Sequence, residues 1–188
     1  MRRRVYPAET KVGFLGTGAR TDPIESSGYI WRSAYTQAGV VVDISASLDF
    51  FRLLDSSYER LVGSPLAPSG SGPAWLYEHA PFAVVAHNTD PDPRFIYANK
   101  TAQACFEYSW DEFTALHSRL SAEAPDRAER QRLLDAVTRD GFVTGYRGLR
   151  IAKSGRRFWI EGGTVWQLFD EHGNWHGQAA MFSSWRDV

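Results

Sequence analysis

Residues 142–185 contain three long runs, FVTGYRGLRIA, RRFWIEGGTVWQLF and NWHGQAAMFSSW, in which apolar and aromatic side chains recur at the short period of a β-strand. The breaks between them are brief, KSG and DEHG, and both consist of residues that make tight turns. Long strands joined by tight turns give an antiparallel meander. That sheet is the strongest constraint on the fold, because everything upstream must supply its remaining strands and the layer that covers it.

The upstream segments meet that demand. PFAVVAHNTD and RFIYAN flank the turn-forming DPDP and read as a hairpin. Asn99 is placed to cap a helix that carries Ala102, Cys105 and Phe106 on one side. SWDE supplies a capping box through Ser109 and Glu112, with Phe113 and Leu116 as the apolar face behind it. In PDRAERQRLLDAV, Asp126 and Glu129 repeat the box, Leu133, Leu134 and Val137 form the stripe, and Gly141 stops the helix. The order is two strands, several short helices and three strands. It predicts an α+β domain with helices gathered on one face of a five-stranded antiparallel sheet.

Ahead of that domain, Phe51, Leu54, Tyr58 and Leu61 recur at helical spacing, Ser47 can cap the helix and Gly63 can end it. Residues 46–63 are thus expected as a flanking amphipathic helix, 64–73 (SPLAPSGSGP, with Pro73 last) as a linker and 74–188 as the main domain. Residues 1–45 show no sustained period and are expected to be irregular. GFLGTG, from Gly13 to Gly18, lacks the GK[ST] ending of a phosphate loop.

Charge and cysteine usage narrow the function classes. A formal net charge of -1 disfavours a protein that holds nucleic acid through phosphate contacts. Cys105 is the one cysteine, so neither an internal disulfide nor a multi-cysteine metal site can form within the chain. MRRRVYPAETKVGFLG has no apolar stretch behind its positive charge, and no window approaches the ~18 apolar residues of a membrane span. A cytoplasmic protein with no membrane partner is expected.

The blocks PFAVVAHNT, FIYANKTA with SWDEFTALHSRLSAE, RAERQRLLDAV, GYRGLRI, GRRFWIE, VW and DEHGNWHGQAAMFSSW resemble the MEKHLA domain family, a branch of the PAS sensory fold, over Leu48 to Trp185. The resemblance implies a PAS-like fold, a sensory or regulatory role and a homodimer through the flanking helix. It says little about what the domain holds, because a shared scaffold hosts many sites.

Candidate sites follow from the residues. In DEHGNWHG, His172 and His176 flank a turn in which Gly173 and Asn174 can take positive φ, and no third metal donor declares itself, so no metal is expected. Cys105 reads as a small core residue. It does not stand in the segment that carries the photoreactive cysteine of flavin-binding LOV domains, and no histidine occupies a defensible haem-ligand position. Along the RRFWIEGGTVWQLF strand the even positions, Phe158, Ile160, Gly162, Thr164, Trp166 and Leu168, should share the face that meets the helices. Gly162, Gly163, Gly177 and Ala179 leave room there for a cavity, and Tyr146, Arg150 and Gln178 can supply its polar contacts. The ligand-binding candidates are Cys105, Phe106, Tyr146, Arg150, Phe158, Trp166 and Gln178, and there is no catalytic candidate set.

Arg119 can either pair on the surface or point inward as an anion site. The leading functional expectation is a non-catalytic module that binds a small molecule or a protein partner, its cofactor unknown. A flavin- or haem-dependent redox or light sensor is the alternative. A small enzyme using Glu161 or His87 as acid or base is a third.

Overall fold

Strands form where the short period predicts them: β1 Ala83–His87, β2 Phe95–Ala98, β3 Phe142–Ile151, β4 Arg157–Phe169, β5 Trp175–Phe182 and β6 Ser184–Asp187. The computed structural model describes residues 44–122 and 127–188, without the side chains at 127–130 and 134. The expectations for residues 1–43, including GFLGTG, and for Asp126, Glu129 and Leu134 lie outside the described residues. The sheet is antiparallel throughout, in the order β2-β1-β5-β4-β3. The last run, expected as one strand, breaks at Ser183: β5 pairs with the second half of β4, and β6 pairs with Phe158 to Glu161.

A fault line crosses three neighbouring strands at this level and corrects the expected alternation of β4. Before it, Phe158 and Ile160 face the helices; after it, Val165 does, while Trp166 and Leu168 turn to the opposite face. Gly162 absorbs the extra residue at φ 69°, and Gly145 in β3 does so at φ 70°, between Val143 and Tyr146. This is left-handed backbone that only glycine adopts without strain. On the third strand the inward residue moves from Phe182 to Trp185 across the break at Ser183. Because each of the three strands changes parity together, pairing resumes beyond the fault and the sheet bends there.

Helices α1 Leu48–Val62, α2 Lys100–Phe106 and α3 Trp110–Ala115 start where their caps predict, and α4 spans Arg127–Asp140. Ser47 accepts from Phe50 N–H, Asn99 from Ala102 N–H, and Ser109 and Glu112 make the complete capping box. Asn99, fully buried, also accepts from Val84 N–H and donates to Leu76 O and Phe82 O, so the cap fastens the helix to β1. Gly63 ends α1 at φ 89°, and Gly141 follows α4 at φ 87°.

The two faces of the sheet are covered by different helices. The short helices share the inner face, where Ala102, Cys105, Phe106, Phe113 and Val137 pack on Val85, Phe95, Ile160, Val165 and Phe182. α1 crosses the outer face with Phe50, Leu54 and Tyr58 on Val84, Ile96, Trp166 and Leu168. Its apolar stripe is therefore occupied by its own sheet. The expected homodimer through this helix would have to use its other side, where Arg52, Ser56 and Glu59 are exposed. Residues 64–73, expected as a linker, are tied down as well: the Asp55 carboxylate accepts from Leu66 and Ala67 N–H at 3.0 and 3.2 Å, and both residues are buried. Among the described residues no helix is long and apolar enough to cross a membrane.

Candidate functional site

Packing on the inner face leaves a gap. A cavity of about 60 Å³ lies over Val85, Phe95, Val165 and Ala180 of the sheet, with Phe106 of α2 and Leu133 of α4 on its helical side. Small side chains on the sheet create it: Ala180 sits in the middle of β5 between Val85 on β1 and Val165 on β4. At roughly 10–15 Å³ per water centre the space holds a few waters, and it is less than half the roughly 150 Å³ that admits benzene in an engineered core. Most of its wall is apolar, and its polar groups gather at two places.

The first polar group is Tyr146 with Arg150. The β3 bulge turns Tyr146 inward, and Gly148 lets its ring lie flat along the strand, since a Cβ there would collide with the phenol. The phenol oxygen accepts from Arg150 Nη2, and Arg150 Nη1 donates to Leu149 O at 2.8 Å. Arg150 is 8% exposed, and its guanidinium also lies over the Tyr146 ring at 5.3 Å. The second is His87 and Gln178, opposite one another on β1 and β5. His87 Nδ1 lies 2.9 Å from Asn88 O, and Gln178 Nε2 donates to Thr138 Oγ1 on α4 at 3.3 Å. Gln167, next across the sheet, accepts from Trp175 Nε1.

Of the residues expected to bind a ligand, the structure brings Phe106, Tyr146, Arg150 and Gln178 together at the cavity. Phe158 lies in the same core but behind the wall, edge-to-face with Phe106 at 5.0 Å. Cys105 is buried nearby in that core, where desolvation pushes its thiol up to about 12 against the pull of Arg156. Trp166 does not join them. It lies on the outer face, because the fault at Gly162 reversed the parity on which its placement rested; there it packs edge-on against Tyr58 at 4.9 Å and donates to Ser57 Oγ at 3.1 Å. Phe95, Ser121 and Leu133 line the cavity without having been singled out from the sequence; for Leu133 the signal was its place on the apolar stripe of α4.

The other candidates, His87 excepted, fall outside the cavity. His176 pairs with Asp170 at 3.0 Å in the β4–β5 turn, where burial opposes ionisation of Asp170. Hydrogen bonds from His176, Asn174 and two backbone N–H groups outweigh that burial and hold its carboxyl far below the usual range. Gly173 takes positive φ in this turn and Asn174 does not. His172 is exposed beside Glu171, and among the described residues no group of three potential donors could hold a metal ion. Arg119 turns to the surface and binds Asp92 at 2.9 Å, lowering the pKa of that carboxyl, so it makes no inward anion site. Glu161 pairs with Arg186 on the outer face at 3.5 Å, whereas His87 is inside. The two cannot serve one reacting group.

Neither coloured cofactor fits these residues. A flavin or haem ring system is far larger than a space below that of benzene, and Cys105, the residue a flavin adduct would require, does not line the cavity.

A search of the curated proteins found no match. Among solved structures, the chain is similar to the PAS domain of the protein from Colwellia psychrerythraea, with a TM-score of 0.51, 19% identity, and coverage of 61% of this chain and 92% of that one. It is also similar to an RNA-binding Light-Oxygen-Voltage receptor, with a TM-score of 0.52, 21% identity, and coverage of 66% of this chain and 36% of the receptor chain. At such identities the likeness establishes the fold. A family model described as the MEKHLA domain matches residues 48–187.

Proposed function

The chain belongs to the MEKHLA domain family, and from that premise we propose that it is a non-catalytic, cytoplasmic sensory module whose inner-face cavity takes up a small molecule. The observation that carries this reading is the coexistence, around one cavity, of apolar walls and the buried polar side chains of Arg150, Tyr146 and Gln178. A core built only for stability gains nothing from a buried polar atom left without a hydrogen bond, as Gln178 Oε1 is, because its burial costs free energy that an aliphatic side chain would not. A binding site does gain, since a few oriented polar groups in an apolar pocket fix a ligand's identity and pose. The occupant would have only a few heavy atoms, or would displace α4 on entering.

The output would pass through the roof. Gln178 touches the ligand space on one side and Thr138 of α4 on the other, so a ligand that moves the carboxamide also moves the helix. Any protein partner would then read α4 rather than the sheet. We favour sensing over catalysis because the cavity's polar groups pair in ways that would orient a ligand, Arg150 with Tyr146 and Gln178 with Thr138. Native mass spectrometry and an absorption scan of the untreated protein test the proposal together. A mass excess of a small molecule with no visible absorption is expected; a visible band from a flavin or haem would replace this reading with the redox or light sensor.

A further inference from the structure

Gln178 is 4% exposed, and its carboxamide is only half satisfied. The nitrogen is engaged by Thr138, while the Oε1 atom is buried and accepts no hydrogen bond among the described residues. A buried carbonyl oxygen left in that state loses its hydration without replacement, so a core position keeps it only if something completes it. Ordered water is the simplest candidate. A buried water, however, needs two to four polar partners, and most of the cavity lining, including Val85, Phe95, Val165 and Ala180, is apolar, its polar members being His87, Ser121, Tyr146, Arg150, Thr164 and Gln178 itself. An apolar molecule that carries one N–H or O–H suits such surroundings better: its body meets the aliphatic and aromatic wall and its single donor meets Oε1.

We propose that Gln178 is the residue that selects the ligand, and that the ligand class is a compact, mainly apolar molecule with a hydrogen-bond donor directed at Gln178 Oε1. This rests on the ligand-binding reading of the cavity and adds the chemistry it recognises. In the orientation that makes the choice Nε2 meets Thr138 Oγ1, a hydroxyl that can accept from the nitrogen or donate to the oxygen. With the amide nitrogen turned to α4, the oxygen is the atom presented to the cavity, so donors are favoured over acceptors. The opposite preference would follow from a flipped carboxamide.

Pyrrole and furan separate these cases once the cavity widens at α4 to take either ring, because they share one outline and differ in that pyrrole donates through its N–H while furan's oxygen can only accept. Both are titrated into the ¹⁵N-labelled full chain, and affinities are read from the backbone amides of Val165 and Ala180. Pyrrole is expected to bind about fivefold more tightly than furan, the worth of one net hydrogen bond, and Gln178→Met is expected to bring the two to parity. Equal binding to the unsubstituted protein would overturn the role of Gln178 while leaving the cavity as a ligand site. If neither ring shifts those amides up to its solubility limit, both the selection and the small-molecule reading fall.

Discussion

The two faces of one sheet have been finished differently. On the outer face α1 closes over Trp166, Leu168, Val84 and Ile96, and the buried polar atoms there are paired: Ser57 Oγ takes the indole N–H of Trp166 and donates to Leu54 O at 3.2 Å. On the inner face the same strands meet shorter helices, a cavity persists, and Gln178 keeps an unmatched oxygen. Filled and satisfied packing contributes stability, whereas incomplete packing with oriented polar groups is what a ligand site requires. One strand, β4, serves both because the bulge at Gly162 hands its side chains from one face to the other.

The sharpest way to break this comparison is to remove the centre of the outer face. Trp166→Ala deletes a fully buried indole, leaves a hole against Tyr58 and strips Ser57 of its donor. The expected loss is about 3–5 kcal/mol in urea unfolding. In protein that remains folded, the amides of Val165 and Ala180 should report the same ring binding as before. A change in ligand affinity as large as the change in stability would show that the faces are not separate.

Neighbouring alanines on β5 make a finer test. Ala179 points outward into the packed layer and Ala180 inward at the cavity, so the same added methyl groups meet opposite surroundings. Ala179→Val should cost about 1–3 kcal/mol by overpacking. Ala180→Val should cost little or raise the melting temperature, because it fills space, and it should weaken ring binding. Equal destabilisation by both substitutions would mean that the inner cavity closes in solution.

How far this division could be read from sequence depends on where its determinants lie. Caps and turns are local, so Ser47, Asn99, Ser109 and Gly173 declared themselves, and the strand period placed the sheet. The continuous apolar run AVVAH was also a signal of a strand covered on both sides, since one-sided strands alternate. The handover at Gly162 was not legible. A glycine pair in a strand reads equally well as empty space beside a pocket or as a bulge, and only the matching irregularities at Gly145 and Ser183 on adjacent strands decide for the bulge. That is why Trp166 was expected with Phe158. The partner oxygen on Ser57 is 109 positions away from Trp166, beyond the reach of any periodic pattern.

The smallest expected effect concerns how the two layers are fastened. The outer helix is held mainly by apolar contact, but the inner helices are also pinned to the sheet by surface ion pairs, Glu112 with Lys153 and Glu107 with Arg156. Lys153, followed by the Ser109 groups of the capping box, holds the Glu112 carboxyl down to about 2 from 4.5; Ser154 and Arg156 lower Glu107. Since these folded-state values are depressed, their stabilising contribution is complete above the ordinary carboxylate range and is lost as pH falls from about 4.5 towards 2. The effect is modest because both carboxylates are in contact with solvent. Acid should therefore loosen α2 and α3 before α1, which hydrogen exchange corrected for intrinsic rates can follow residue by residue. Carbon-detected titration of Glu112 should give a midpoint near 2 that moves towards 4.5 in Lys153→Met. A midpoint already at 4.5 in the unsubstituted protein would remove the ion pair as a fastener and leave both layers held by packing alone.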